Sequence, residues 1–154
     1  MRYIRRTFFW ICWPGLYLYF WHSQRSRVLI RNNNDTLLVK GFWKSWFADE
    51  RFGLPGGGIA RKEQPVDAAL RELYEELKIK VKPEDLHFIG DDYVREYGIG
   101  YKASFFVYNM PTRANVEAQK PEIAEIAWLD LRGEMPQKQL KPEVLQALEL
   151  LAKQ

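Results

Sequence analysis

Cysteine and histidine are nearly missing from this chain, and their scarcity removes whole classes of chemistry. The one cysteine, Cys12, can form no intrachain disulfide and no cysteine metal cluster. That usage fits a reducing compartment, so a cytoplasmic location is expected. The two histidines, His22 and His87, are scattered, and no Ser–His–Asp or Cys–His arrangement can be assembled around them. Internal repeats and low-complexity stretches are absent, and 154 residues is the size of one domain. The basic residues form no single block, so a net charge of +3 does not imply nucleic acid as a partner.

A long hydrophobic run is also lacking, though residues 1–26 come near to one. Arg2, Arg5 and Arg6 precede TFFWICWPGLYLYFW (residues 7–21), and Arg25 and Arg27 follow. This run falls short of the roughly 20 residues a spanning helix needs. Pro14-Gly15 in its middle breaks a helix or sets a turn. His22-Ser23-Gln24 does not supply the small residues of a cleavage site. Three readings stay open: a segment packed on the domain or in a homodimer interface, a membrane-surface contact through residues 7–21, and a signal or spanning segment.

Residues 27–31 (RVLIR) and 36–40 (TLLVK) read as strands flanking a turn at Asn32–Asp35. Residues 41–52 carry Phe42, Trp43, Trp46 and Phe47, which either stack on a base or cover the end of a sheet. Further on, 86–89, 92–95, 102–109 and the end of 122–129 read as strands, with a turn at Tyr97-Gly98. Pro142 suits the first turn of a last helix, with Val144, Leu145, Leu148 and Leu151 as its buried stripe. This order of elements predicts a layered α/β (α+β) domain.

The stretch that organises the chain is LPGGGIARKEQPVDAALRELYEELKI, residues 54–79. Residues three or four apart share a helix face, so Glu72, Glu75 and Glu76 form one acidic cluster. Val66, Leu70, Leu73 and Leu77 form an apolar stripe elsewhere on the same helix. Crowded carboxylates are what a hard divalent cation takes. Gly56, Gly57 and Gly58 let backbone approach a ligand closely. Together they suggest a metal–phosphate site.

The spacing Gly57-x5-Glu63-x7-Arg71-Glu72-Leu73-x-Glu75-Glu76-x-Lys78-Ile79 resembles the signature of the Nudix hydrolase family, G-x5-E-x7-R-E-U-x-E-E-x-G-U. Every fixed position matches except the last glycine, replaced by Lys78. That position is a helix end, where glycine is favoured, and the change removes no carboxylate. The resemblance covers roughly residues 27–154, a Nudix hydrolase domain, and implies an α/β/α sandwich around a mixed sheet. It implies Mg²⁺, with Mn²⁺ as a substitute, held mainly by Glu75 and Glu76. Glu72 becomes a ligand or general base, Arg71 orients its carboxylate neighbours, Glu63 completes the acidic network, and the Gly56 carbonyl adds a ligand. Gly57 and Gly58 would face substrate. A further carboxylate, Glu122 ahead of Glu117 and Glu125, would be an additional base or ligand.

The implied activity is hydrolysis of a phosphoanhydride bond in a nucleoside diphosphate linked to another moiety. Two rivals stay open. One is a Nudix-like module that binds nucleotide without cleaving it, against which the retained Glu63, Glu72, Glu75 and Glu76 argue. The other is a Nudix-fold isomerase of isoprenyl diphosphate, which would want a reactive cysteine in the pocket, whereas Cys12 lies in the leader.

Overall fold

The computed structural model describes residues 23–41, 49–96, 99–113, 116–119, 122–131 and 137–154. The aromatic run at 7–21, Cys12 and His22 lie outside them, as do Phe42, Trp43, Trp46, Phe47 and the expected turn at Tyr97-Gly98. No helix among the described residues is long and apolar enough to cross a membrane.

Strands β1 (Gln24–Asn32) and β2 (Asp35–Gly41) form the opening hairpin. Asn33, at φ 54, takes the left-handed turn conformation that asparagine tolerates. The first strand starts ahead of the expected Arg27, so Gln24, Arg25 and Ser26 belong to the sheet. Helix α1 (Pro65–Leu77) follows, then β3 (Leu86–Glu96), β4 (Ile99–Asn109), β5 (Ile123–Asp130) and helix α2 (Pro142–Ala152). The sheet order is β3-β4-β1-β2-β5. Only the central β1–β4 pair is parallel, which makes the sheet mixed.

Residues 26–30 of β1 are buried without interruption, as expected for a strand covered on both faces. Val28 and Ile30 pack with Ala69, Leu73 and Leu77 of α1. Leu29 packs with Phe105 and Val107 of β4 and with Val144 and Ala147 of α2. One helix therefore lies on each face, giving the expected α/β/α sandwich.

Two sequence expectations need correction. Residues 86–89 and 92–95 are one strand, kept continuous by a bulge between Phe88 and Gly90. The buried face of α2 is Glu143, Val144 and Ala147, while Leu145, Leu148 and Leu151 are only part-buried at its margins. Glu143 is buried there with Tyr101 and Arg27 as partners.

A split in the sheet positions the site. β1 and β2 pair only near the hairpin, at Ile30–Asn32 with Leu37–Asp35. Beyond it, residues 53–59 fill the gap as a surrogate strand. The Ser26 and Val28 amides donate to the Gly57 and Pro55 carbonyls at 3.0 Å, and the Ile59 amide donates to the Gln24 carbonyl at 2.9 Å. On the other side Gly53 and Val39 exchange amide–carbonyl bonds of 2.9 and 3.0 Å. The glycine turn thus satisfies buried backbone groups that would otherwise be orphaned.

Helix α1 begins at Pro65, whose missing N–H costs nothing in the first turn. It ends at Lys78 in the left-handed conformation, φ 56 and ψ 23. The Lys78 and Ile79 amides close the helix on the Tyr74 and Leu73 carbonyls at 3.1 and 3.2 Å. The lysine occupies the conformation where glycine is favoured. Its ammonium lies 4.9 Å from the centre of the Tyr74 ring.

Candidate active site

Arg71 is a hub between helix α1 and the loop ahead of it. Its guanidinium donates to Glu63 (2.9 and 3.1 Å), to Glu72 Oε1 (2.8 Å), to Glu75 Oε2 (2.9 Å) and to the Gly58 carbonyl (2.8 Å). Bonding to Glu63, the leading cause, raises the Arg71 pKa despite partial burial. In return Arg71 holds the Glu63 carboxyl below its usual value, helped by the Ala60 amide at 2.7 Å. Glu63 and Glu75 are therefore braced on this hub, and neither lines the cavity described next. Glu75 is the more exposed of the two.

A cavity of about 290 Å³ opens where the sheet splits; Glu72, Glu76 and Glu122 contribute to its wall. Glu76 is braced differently from its helix neighbours. Its Oε2 accepts the Gly56 amide at 2.8 Å, and among the described residues no cation stands within ion-pair distance of it. Burial is the largest influence on its carboxyl; the Gly56 amide and Arg27 oppose it, and Glu72 and Glu122 add to it. The outcome is a pKa raised to about 7. A carboxylate so poised is a candidate functional group.

The glycines have distinct placements. Gly56 takes φ +128, and a Cβ there would meet the Ser26 carbonyl oxygen at 2.3 Å. A Cβ on Gly57 would meet Glu72 Oε1 at 2.3 Å, so glycine permits that carboxylate's approach. Gly56 lines the cavity; Gly57 and Gly58 do not. The Gly56 carbonyl accepts from Arg27 Nη1, which leaves one lone pair for any metal.

Glu122 reaches the wall because the preceding loop is tied to α1. The Gln119 amide donates to the Glu76 carbonyl at 2.9 Å, and the Glu122 amide donates to the Gln119 carbonyl at 3.1 Å. Glu117 does not line the cavity, and Glu125 pairs with Lys40 at 2.7 Å outside it.

Sequence reasoning missed the opposite wall, made by Arg25, Arg27, Lys141 and Glu143. Arg27 Nε lies 3.5 Å from Glu143 Oε1, and Tyr101 donates its hydroxyl to Glu143 Oε2 at 2.7 Å. Arg25 lies over the Tyr101 ring at 4.7 Å. Burial lowers the Arg25 pKa, whereas for Arg27 the neighbouring Glu143 and Tyr101 outweigh burial and raise it. A signal was present: Arg25 and Arg27 share strand parity with the core residue Leu29.

Among the described residues no three His, Cys, Asp or Glu side chains converge closely enough to hold a metal. The donor chemistry nevertheless fits a hard cation. Glu72 and Glu76 share one wall, Glu122 adjoins them, and Glu76 is a crowded, part-buried carboxylate whose charge a cation would restore.

The family model for the NUDIX domain matches residues 22–151. This chain belongs to the Nudix hydrolase family. A Bifidobacterium longum nucleoside triphosphate pyrophosphatase/Nudix hydrolase fusion protein is 33% identical over 98 residues, covering 62% of this chain and 20% of that protein. The chain thus spans about a fifth of that relative's length. Among solved structures, the MutT Nudix hydrolase of Burkholderia pseudomallei superposes with a TM-score of 0.70 at 20% identity, covering 84% of this chain and 98% of that one. A bifunctional NMN adenylyltransferase/ADP ribose pyrophosphatase of Francisella tularensis gives 0.72 at 17% identity, covering 98% and 47%. An Ap4A hydrolase of C. elegans gives 0.66 at 16%, covering 85% and 96%. These likenesses establish the Nudix fold.

Proposed function

We propose that this Nudix hydrolase cleaves a phosphoanhydride bond in a nucleoside diphosphate linked to another moiety, using Mg²⁺ or, as a substitute, Mn²⁺. The observation that carries this reading is Glu76, a part-buried carboxylate on the wall of a cavity, held by one backbone amide and crowded by Glu72 and Glu122. A divalent cation bound there would neutralise the phosphate oxygens that shield phosphorus from attack.

The chain's own residues would do the rest. Glu72 and Glu76 hold the cation, and Arg71 fixes the Glu72 rotamer through a charge-assisted bond. Glu63 braces Arg71, and Glu75, paired with Arg71, would be a further ligand. Glu122, on the same cavity, would take a proton from attacking water or add a ligand. Arg25 and Lys141 on the opposite wall supply positive charge for phosphate oxygens. The similar proteins named above include a pyrophosphatase and an Ap4A hydrolase, and cleavage of a phosphoanhydride is the chemistry those names share.

The test is product release from a panel of nucleoside diphosphate derivatives, with Mg²⁺ and with EDTA, using Glu76→Gln as control. Metal-dependent turnover of one compound, lowered at least tenfold in the variant, supports the hydrolase. Nucleotide binding without turnover across the panel would replace it with a nucleotide-sensing module.

A further inference from the structure

The buried ion pair between β1 and α2 has no part in the reading above. Arg27 and Glu143 are 3% and 1% exposed. Burying such a pair costs desolvation, and apolar residues of similar volume often hold a fold as well or better. What an apolar pair could not do is donate to a backbone carbonyl. Arg27 Nη1 donates to the carbonyl of Gly56, and the amide of Gly56 holds Glu76 at 2.8 Å. Gly56 is therefore gripped on both sides: by a buried guanidinium at its carbonyl and by the site carboxylate at its amide. Its φ of +128 and its close approach to Ser26 leave no slack. Tyr101 and Glu143 fix the guanidinium from behind.

We propose that Arg27, anchored by Glu143 and Tyr101, is a positioning residue for Glu76: it holds the Gly56 turn so that the Gly56 amide aims the Glu76 carboxylate into the cavity, and cation affinity depends on it. This rests on the reading of Glu76 as a metal ligand. Arg27 acts through Gly56, so its effect appears without substrate. A planar fork can engage Glu143 and the Gly56 carbonyl together, whereas an ammonium on a flexible stem presents no such fork.

The experiment is Mn²⁺ titration of the full chain by electron paramagnetic resonance, without nucleotide, alongside thermal unfolding. Glu76→Gln serves as the reference for loss of the ligand. Arg27→Lys, which keeps the charge, is expected to weaken Mn²⁺ binding about tenfold, in the range of changes to residues behind metal ligands. Combined with Glu76→Gln it should weaken binding no further. Tyr101→Phe keeps both charges and, acting through Glu143, should weaken binding measurably but by less than about tenfold; it decides the matter if Arg27→Lys does not fold. Wild-type Mn²⁺ affinity in the folded Arg27→Lys and Tyr101→Phe variants, with Glu76→Gln impaired, would reduce the network to a structural role and overturn the proposal. Unchanged affinity in Glu76→Gln would remove Glu76 as a ligand, and the proposal would fall with that reading.

Discussion

Arg71 and Arg27 brace the same glycine turn from opposite sides, and they do so in opposite environments. Arg71 is partly exposed and gathers three carboxylates of the box onto one guanidinium. Arg27 is buried and meets the Glu143 carboxylate, the Gly56 and Ser26 carbonyls and the Tyr101 ring. Water screens the first set of ion pairs, so their worth lies in geometry more than in stability. The second set is desolvated, so losing one partner leaves a charge stranded in the interior. Losing the first arginine costs the fold little; losing the second while Glu143 stays costs it much.

The sharpest way to break this contrast is Arg27→Met, which removes one buried cation from the Glu143 carboxylate. It should destabilise the chain by about 4 kcal/mol, measured by urea unfolding. A loss below about 1 kcal/mol would make Arg27 energetically like a surface arginine. Gly56→Ala comes next, since its Cβ would collide with the Ser26 carbonyl at a φ that side chains rarely adopt. A loss of about 3 kcal/mol is expected, seen as a melting temperature lowered by roughly 10 °C.

Glu76→Gln should separate stability from function. A carboxyl whose pKa is raised by the fold contributes stability that is present below its ordinary value and lost as pH climbs through the folded one. For Glu76 that window runs from 4.5 to about 7. The metal-free protein should therefore melt lower at pH 8 than at pH 5, and the variant should lose that slope. At pH 8 the variant should gain up to about 3 kcal/mol while turnover falls at least tenfold. A wild-type pH slope in the variant would assign the titration to another group.

Arg71→Met should cost at most about 1 kcal/mol yet lower turnover at least tenfold, because Glu72 loses its brace. Near-normal turnover would leave Arg71 a surface ion-pair centre. Lys78→Gly is the smallest change. Relieving a lysine at φ 56 should stabilise the chain by about 1 kcal/mol with activity unaltered. Destabilisation there would mean that the lysine's contact with Tyr74 outweighs backbone strain.

The same contrast explains what could be read in advance. Arg71 and its partners lie within one short stretch, the one that carries the resemblance to the Nudix signature, so sequence exposed them. The hairpin, α1 and the mixed α/β class were legible for the same local reason. Arg27, Tyr101 and Glu143 come from β1, β4 and α2, and only the parallel β1–β4 pairing and the packing of α2 bring them together. Glu143 lies in the first turn of α2 and is buried by partners on other elements, which helix periodicity does not indicate. Glu122 was proposed from its place before β5, but its approach to Glu76 depends on the backbone tie through Gln119. The bulge that keeps β3 continuous likewise has no signature in 86–95 beyond a glycine.

Residues 53–59, hydrogen-bonded between β1 and β2, make the glycine turn part of the protein's main cooperative unit. Amide protons at Ser26, Val28, Val39 and Gly53 point into that seam, so they should exchange with solvent only when the whole sheet opens. A ligand would then slow their exchange solely by deepening the native well, without any loop having to close first. Catalytic readiness is in this way coupled to the chain's lifetime in the folded state, and a destabilised variant would lose both on one timescale.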